Sequence, residues 1–179
     1  MVYSYFEHRH RFAVWAGARA TQRAFTSVKN LRDALEQTNV RNFLEVPDSF
    51  NVNADQFESK HREWCNSIVD FLSERGVKNA TYGRAAKLIA IYLKSMVVLT
   101  EHSASNLATV THPPIDRILL QNLAASQEIK SQYKASWRIA TWTTLNECDY
   151  YELIAELRSV LPAPEPWWKL ERYWTVTNE

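Results

Sequence analysis

Residues 76–94 read G-V-K-N-A-T-Y-G-R-A-A-K-L-I-A-I-Y-L-K, and residues 112–123 read H-P-P-I-D-R-I-L-L-Q-N-L. Gly76 is suited to end a preceding helix, and Gly83 to adopt a backbone conformation that is closed to other residues. Apolar residues recur at helical spacing after Gly83, and two prolines separate the second stretch from what precedes it. The pattern predicts a helix, a turn and a helix, followed by a new helix after the prolines.

Two lysines and an aspartate stand out in these helices. Lys87 and Lys94 are seven residues apart, so they lie near one face of the predicted helix, separated by two turns. Lys87 is surrounded by alanine, leucine and isoleucine, which makes it a candidate for a partly buried nucleophile or for an ordinary surface lysine. Asp116 follows the prolines and opens the next helix, where a carboxylate is favoured, and it could face Lys87 across a cleft.

This arrangement resembles the helix-hairpin-helix DNA glycosylases, and most closely the archaeal-type branch of the 8-oxoguanine DNA glycosylase group. The matching residues are Lys87 in A-A-K-L, Asp116 in P-P-I-D-R and Lys94 two turns after Lys87. In that family the lysine attacks the sugar carbon as the base leaves, and the aspartate stabilises positive charge on the sugar. The resemblance covers about the middle third of the chain, although the turn lacks the usual Gly-Val-Gly.

The resemblance also implies a base pocket and a DNA-binding surface. In the family a C-terminal helix supplies an acid and an aromatic to the pocket, and residues 166–174 read P-W-W-K-L-E-R-Y-W. The expected base-pocket residues are Gln22, Lys94, Trp168, Glu171 and Trp174. The expected DNA-binding residues are Arg9, Arg11, Arg84, His112 and Arg117, although a charge run is also typical of a solvated face and His112 could simply hold its loop.

The function implied by the resemblance is that of a DNA glycosylase. Such an enzyme flips a modified base, 8-oxoguanine or another, out of double-stranded DNA and excises it, with or without strand cleavage by an AP lyase reaction. The DNA could be the host genome or foreign DNA such as that of a phage. The alternative is a non-catalytic helical module that binds nucleic acid or protein, in which the tryptophans serve only as core residues.

Composition favours one helical domain. Apolar residues make up 46% of the 179 residues, glycine occurs three times, and the net charge of +1 gives no overall signal for nucleic acid. We predict a single all-α domain spanning residues 1–179, with about six to eight helices that include a helix-hairpin-helix-like element. No segment is apolar over the roughly 20 residues that a membrane span needs. The two cysteines have no metal-ligand spacing, so we expect no metal site, and they favour a cytoplasmic location. We also expect a monomer without a cofactor.

Local signals place the remaining helices. Phe12 and Trp15 follow the apolar period of the first predicted helix. Thr144 and Glu147 have the spacing of a capping box. Residues 101–111 are polar and without period, which predicts a loop. Helices are predicted over residues 4–25, 27–38, 54–74, 82–100, 116–123, 148–161 and 167–174.

Overall fold

Nine α-helices form most of the chain in the computed structural model, which describes residues 3–161 and 164–175. No strand occurs in these residues, so the predicted all-α class is confirmed. The helices are more numerous than predicted because α3 and α6 are single turns of five residues that leave no periodic signal in the sequence. The helices are α1 (Tyr5–Thr21), α2 (Val28–Gln37), α3 (Val40–Leu44), α4 (Ala54–Glu74), α5 (Tyr82–Leu93), α6 (Asn106–Val110), α7 (Arg117–Ala125), α8 (Lys134–Ile139) and α9 (Glu147–Arg158).

The α5 helix forms the centre of the molecule. Ten of its twelve residues are buried, and it packs against α1, α4 and α9. A helix that is apolar on nearly all sides is stable only inside a core, and α5 belongs to one continuous hydrophobic cluster that most of the helices share. The predicted domain ends, residues 1 and 179, lie outside the described residues. Because Lys87 is on α5, the fold holds this lysine in the interior.

The turn between α4 and α5 joins the two helices as a hairpin. Asn53 caps α4 with a full capping box, and Gly76 after its end has φ of +72°, as a glycine at this place predicts. The predicted role of Gly83 is wrong, because its φ is not positive. Gly83 is instead required by close packing: a Cβ there would lie 2.0 Å from the carbonyl oxygen of Trp142.

Several helix ends differ from the prediction. The α1 helix ends at Thr21 because the chain turns through Ala24, whose φ is +53°. The α5 helix ends at Leu93 and continues as one π-helical segment, Lys94–Val98. The predicted loop over residues 101–111 contains α6, which buries Leu107. The C-terminal segment Trp167–Tyr173 is a 3-10 helix.

The predicted capping box at Thr144 is also wrong. Thr144 lies in a 3-10 turn, Trp142–Thr144, and its hydroxyl donates to the carbonyl of Thr141. The side chain of Asn146 instead accepts from the backbone N–H of Asp149 and caps α9. Asn146 lies two residues after Thr144, so the helix begins two residues later than the capping-box pattern would place it.

The buried face of α1 differs from the predicted stripe. Its small residues Ala13, Gly17 and Ala18 pack inward, which allows α1 to approach α5 closely. Phe12 and Trp15 are 57% and 54% exposed and lie on the outer face. Both residues follow the apolar period of the predicted helix, so the period alone does not identify the buried side of α1.

A cluster of buried rings joins α4, α9 and the segment before α7. His61 and His112 are almost fully buried, and each has a hydrogen bond between its Nδ1 and a tyrosine hydroxyl, at 3.0 Å to Tyr151 and 3.1 Å to Tyr150. Burial lowers the pKa of His61 to about 3 and that of His112 well below its ordinary value. Both imidazoles are therefore neutral in the folded protein at neutral pH.

The buried histidines predict a loss of stability in weak acid. On unfolding, each imidazole binds a proton below its ordinary pKa of about 6.5, while the folded protein does not. The free energy of unfolding therefore has its full value above that pH and decreases as the pH drops below it. The decrease is about 1.4 kcal/mol for each histidine near pH 5.5. Urea unfolding at about pH 7.5 and 5.5 measures this difference. An equal free energy of unfolding at the two pH values would contradict the prediction. The control is His8→Asn, which removes an exposed histidine and should leave the difference between the two pH values unchanged.

No helix in residues 3–161 and 164–175 combines the length and the apolar character needed to cross a membrane.

Candidate functional site

Helices α5 and α7 bring Lys87 and Asp116 together. The Nζ of Lys87 lies 3.2 Å from Oδ2 of Asp116, and the two side chains are only 10% and 13% exposed. The ammonium also lies 4.5 Å from the centre of the Trp142 ring. Removing two charges from water is costly, and such a pair contributes little net stability compared with apolar residues. An almost buried pair of this kind at a pocket is therefore a candidate for chemistry.

Three groups hold the Asp116 carboxylate in place. Its Oδ1 accepts the backbone N–H of Leu119 at 3.0 Å, so Asp116 caps α7 as the position after the prolines predicts. Its Oδ2 accepts from Lys87 and also from the indole Nε1 of Trp174 at 2.9 Å. The carboxylate is thus fixed by the backbone of its own helix and by the C-terminal segment, and its orientation toward Lys87 is set before any ligand binds.

A pocket of about 340 Å³ lies over this pair, and we call it the central pocket. Its volume falls at the lower end of the roughly 300–1,000 Å³ of small-molecule sites. Lys94 and Glu171 form an ion pair in its wall. The structure thus brings five sequence-predicted residues to one place. They are Lys87, Lys94, Asp116, Glu171 and Trp174, with Phe12, Leu99 and Pro114 completing the apolar walls.

Glu171 provides a carboxyl group whose protonation is shifted. Burial raises the pKa of Glu171, and the negative charge of Asp116 adds to this effect, while its hydrogen bond to Lys94 opposes it. Its side chain is only 17% exposed, so few waters compete for it. The Glu171 carboxyl group can accept hydrogen bonds and the Lys94 ammonium can donate them. Such a pair suits the edge of a polar planar ligand.

A second hollow of about 380 Å³ meets the central pocket at Lys87 and Asp116. It is lined by Arg23, Arg84 and Arg117, and we call it the cationic hollow. Within the described part of the chain, none of these three arginines forms an ion pair with an acid. Arg84 stacks on Phe25 at 4.2 Å, its Nε is buried without a hydrogen-bond partner, and burial lowers its pKa. The hollow therefore favours an anion.

Arg9 and Arg11 lie on the same side of the molecule, along α1. The Nη1 of Arg9 lies 3.4 Å from Glu101, and the Nε of Arg11 lies 2.6 Å from Glu7. Both arginines line a further hollow that adjoins the central pocket through Phe12 and Leu99. The predicted DNA-binding arginines Arg9, Arg11, Arg84 and Arg117 thus line two hollows, each of which shares lining residues with the central pocket.

Three predicted site residues lie elsewhere. Gln22 is the C-cap of α1 and does not line the central pocket, and Trp168 does not line it either. The predicted contact of His112 with DNA is wrong, because this residue is only 3% exposed and packs against Phe57 and Trp167. It holds the segment before α7 in place, which is the other role that the sequence left open.

Trp142 is a site residue that sequence reasoning missed. It follows α8, far from Lys87 in sequence, and reaches it because the backbone N–H of Gly83 donates to Leu145 and draws this segment onto the start of α5. The sequence carries no signal for this contact, since a tryptophan between two polar residues is equally typical of a core or surface position.

In the described part of the chain, no group of three or more His, Cys, Asp or Glu side chains is arranged to hold a metal ion. The chain matches no protein-family model, no curated protein and no solved structure.

Proposed function

We propose that the protein is a DNA glycosylase, with Lys87 as the nucleophile and Asp116 as the stabilising carboxylate. The observation that carries this proposal is the almost buried Lys87–Asp116 pair at the junction of the central pocket and the cationic hollow. An enzyme that excises a base has to accommodate the flipped base in a pocket and its phosphates on a cationic surface. The two cavities supply these two environments on either side of one lysine.

The chemistry follows from the two side chains. As the bond between C1′ and the base breaks, its electron pair goes to the base and positive charge develops on the sugar, which the Asp116 carboxylate stabilises. The proton of the Lys87 ammonium passes to the departing base, and the neutral amine then bonds to C1′. The Asp116 carboxylate then carries a second proton from the nitrogen to the ring oxygen O4′, the bond between C1′ and O4′ breaks to leave a hydroxyl group, and the nitrogen lone pair forms the C=N bond of a Schiff base. This intermediate would permit strand cleavage by β-elimination.

The central pocket suits a polar planar base. Trp174 and Phe12 provide aromatic surface, and the Lys94–Glu171 pair provides a donor and an acceptor in the wall. Oxidised purines such as 8-oxoguanine carry additional donors and acceptors on the ring edge, so they belong to the class of base that this wall can distinguish. The non-catalytic binding module explains the cationic hollow equally well, but it does not explain why an ammonium and a carboxylate should be buried together beside a pocket.

The proposal is tested by base release from duplex DNA that contains one modified base. We expect the purified protein to release 8-oxoguanine or another oxidised purine from a panel of such duplexes, with release measured by chromatography of the free base. Unmodified duplex is the control. Binding to these duplexes without release of any base would contradict the glycosylase and favour the binding module.

The Asp116→Asn variant separates the charge of Asp116 from its capping role. Asparagine is an equally good N-cap and keeps an acceptor for the Leu119 N–H. The negative charge is lost, so we expect base release to slow by about 10²–10³-fold. Lys87 also loses its partner, and the free energy of unfolding is expected to fall by about 1–3 kcal/mol. Single-turnover kinetics and urea unfolding measure the two effects.

A double variant provides the control for Asp116→Asn. Replacing Lys87 by Gln and Asp116 by Asn together removes both charges, so it is expected to recover most of the lost stability while remaining inactive. If the double variant is less stable than Asp116→Asn alone, the pair does not interact as the distance of 3.2 Å indicates.

A further inference from the structure

A hollow of about 520 Å³ on the outer face of α1 carries aromatic and cationic side chains together. We call it the α1 hollow. Nine large hydrophobic side chains are exposed in the described residues, and five of them line this one hollow. They are Tyr3, Tyr5, Phe12, Trp15 and Leu99. A concentration of exposed apolar side chains at one place marks a binding surface rather than chance exposure.

The charges in the α1 hollow are positive. Arg9 and Arg11 line it, and no acid does so in the described part of the chain. The guanidinium of Arg11 lies 5.0 Å from the ring centre of Tyr3, and that of Arg9 lies 5.6 Å from that of Tyr5. Their acidic partners, Glu7 and Glu101, lie outside the hollow. One partner of each pair is exposed, Glu101 at 65% and Arg11 at 66%, so water screens the pair and a phosphate can compete with the acid.

The two central aromatics are placed to receive flat ligands. Phe12 and Trp15 are three residues apart on α1, and their ring centres are 6.0 Å apart with the planes inclined at 40°. The rings therefore do not stack on each other, and both remain more than half exposed. Phe12 also lines the central pocket, as do Ser95 and Leu99. A DNA strand that places one base in the central pocket thus brings its neighbouring bases onto the α1 hollow.

We propose that the α1 hollow binds single-stranded DNA by stacking unpaired bases on Phe12 and Trp15 while Arg9 and Arg11 contact the phosphates. Exposed aromatics alternating with cations are the means by which proteins hold single strands without reading their sequence. A duplex buries the faces of its bases, so it offers these rings nothing to stack on. The inference deepens the proposed function, on which it rests for the choice of DNA, and it makes single-stranded or locally opened DNA the preferred form of the substrate.

The test is fluorescence anisotropy with a labelled, undamaged oligothymidylate of about 12 nucleotides, a length within the usual site size of single-strand binders. We expect each of Phe12→Ala and Trp15→Ala to weaken binding by roughly 10-fold. The matched control is Trp168→Ala, which removes an exposed tryptophan that lines neither the central pocket nor the α1 hollow, and binding should not change. A blunt duplex of the same length should bind the wild-type protein more weakly than the single strand.

Two further variants keep the outcome clear. Leu99→Asp places a negative charge in the α1 hollow at a 69% exposed position outside α1, and it should weaken binding even if an alanine variant of α1 fails to fold. Arg19→Gln removes a positive charge from an exposed position of α1 that lines neither the α1 hollow nor the central pocket, so this variant should bind the oligothymidylate as tightly as the wild type. Tighter binding of the duplex, or equal binding by the wild type and the α1 hollow variants, would overturn the inference. Single-strand binding without base release in any assay would overturn the glycosylase and leave this site intact.

Discussion

The Lys87→Gln variant is expected to release a modified base about 10³-fold more slowly than the wild-type protein, or not at all. Glutamine has no amine to bond to C1′ and no proton to give to the departing base. Its amide N–H can donate to Oδ2 of Asp116 in place of the ammonium, so the pocket keeps its shape but loses its nucleophile. Single-turnover assays under enzyme excess measure the rate of release without interference from product dissociation.

Lys94→Gln is the matched control for this prediction. Lys94 lies on the same helical face two turns later and pairs with Glu171 in the wall of the central pocket. Its loss should weaken substrate binding while the covalent step persists. A Lys87→Gln protein that retains the wild-type rate, or a Lys94→Gln protein that alone loses it, would show that the nucleophile has been assigned to the wrong lysine.

Gly83→Ala is expected to lower the free energy of unfolding by about 3 kcal/mol or more. The added Cβ would lie 2.0 Å from the carbonyl oxygen of Trp142, and backbone cannot move aside as a flexible side chain can. The hydrogen bond from the Gly83 N–H to Leu145, now 3.0 Å long, would be broken or lengthened by the displacement. Because the same segment holds Trp142 over the Lys87 ammonium, base release should fall as well. Thermal and urea unfolding measure the effect.

Gly76→Ala provides the comparison. Gly76 has φ of +72°, and a Cβ there would meet no atom within 4 Å, so alanine suffers only the left-handed backbone strain of about 1–2 kcal/mol. The two glycines therefore separate backbone strain from steric overlap. Equal losses of stability in the two variants would contradict the close contact between Gly83 and Trp142.

The features that the sequence predicts well depend on residues close to one another in the chain. Asp116 caps its helix because a cap and the N–H group that it accepts are only three residues apart. The sequence also allows Lys87 and Asp116 to face each other, because a helical period and a proline pair place them on two helices that are close in the chain. Their roles in catalysis remain predictions that the experiments above test.

The features that the sequence did not predict depend on packing between distant segments. Trp142 reaches Lys87 only because the chain after α8 returns to the start of α5. Phe12 and Trp15 face outward because α1 buries its alanines and glycine against α5, and an apolar period cannot distinguish small from large buried residues. His112 is enclosed by rings from α4 and α9, neither of which is adjacent to it in sequence.

Borohydride trapping tests the central claim most directly. The protein is incubated with the duplex from which it releases a base, the Schiff base is reduced to a stable amine, and the digested adduct is mapped by mass spectrometry. We expect the sugar to be attached to Lys87. An adduct at Lys94 or at the N-terminal amine, or release of the base without any adduct, would contradict the assignment of Lys87 as the nucleophile.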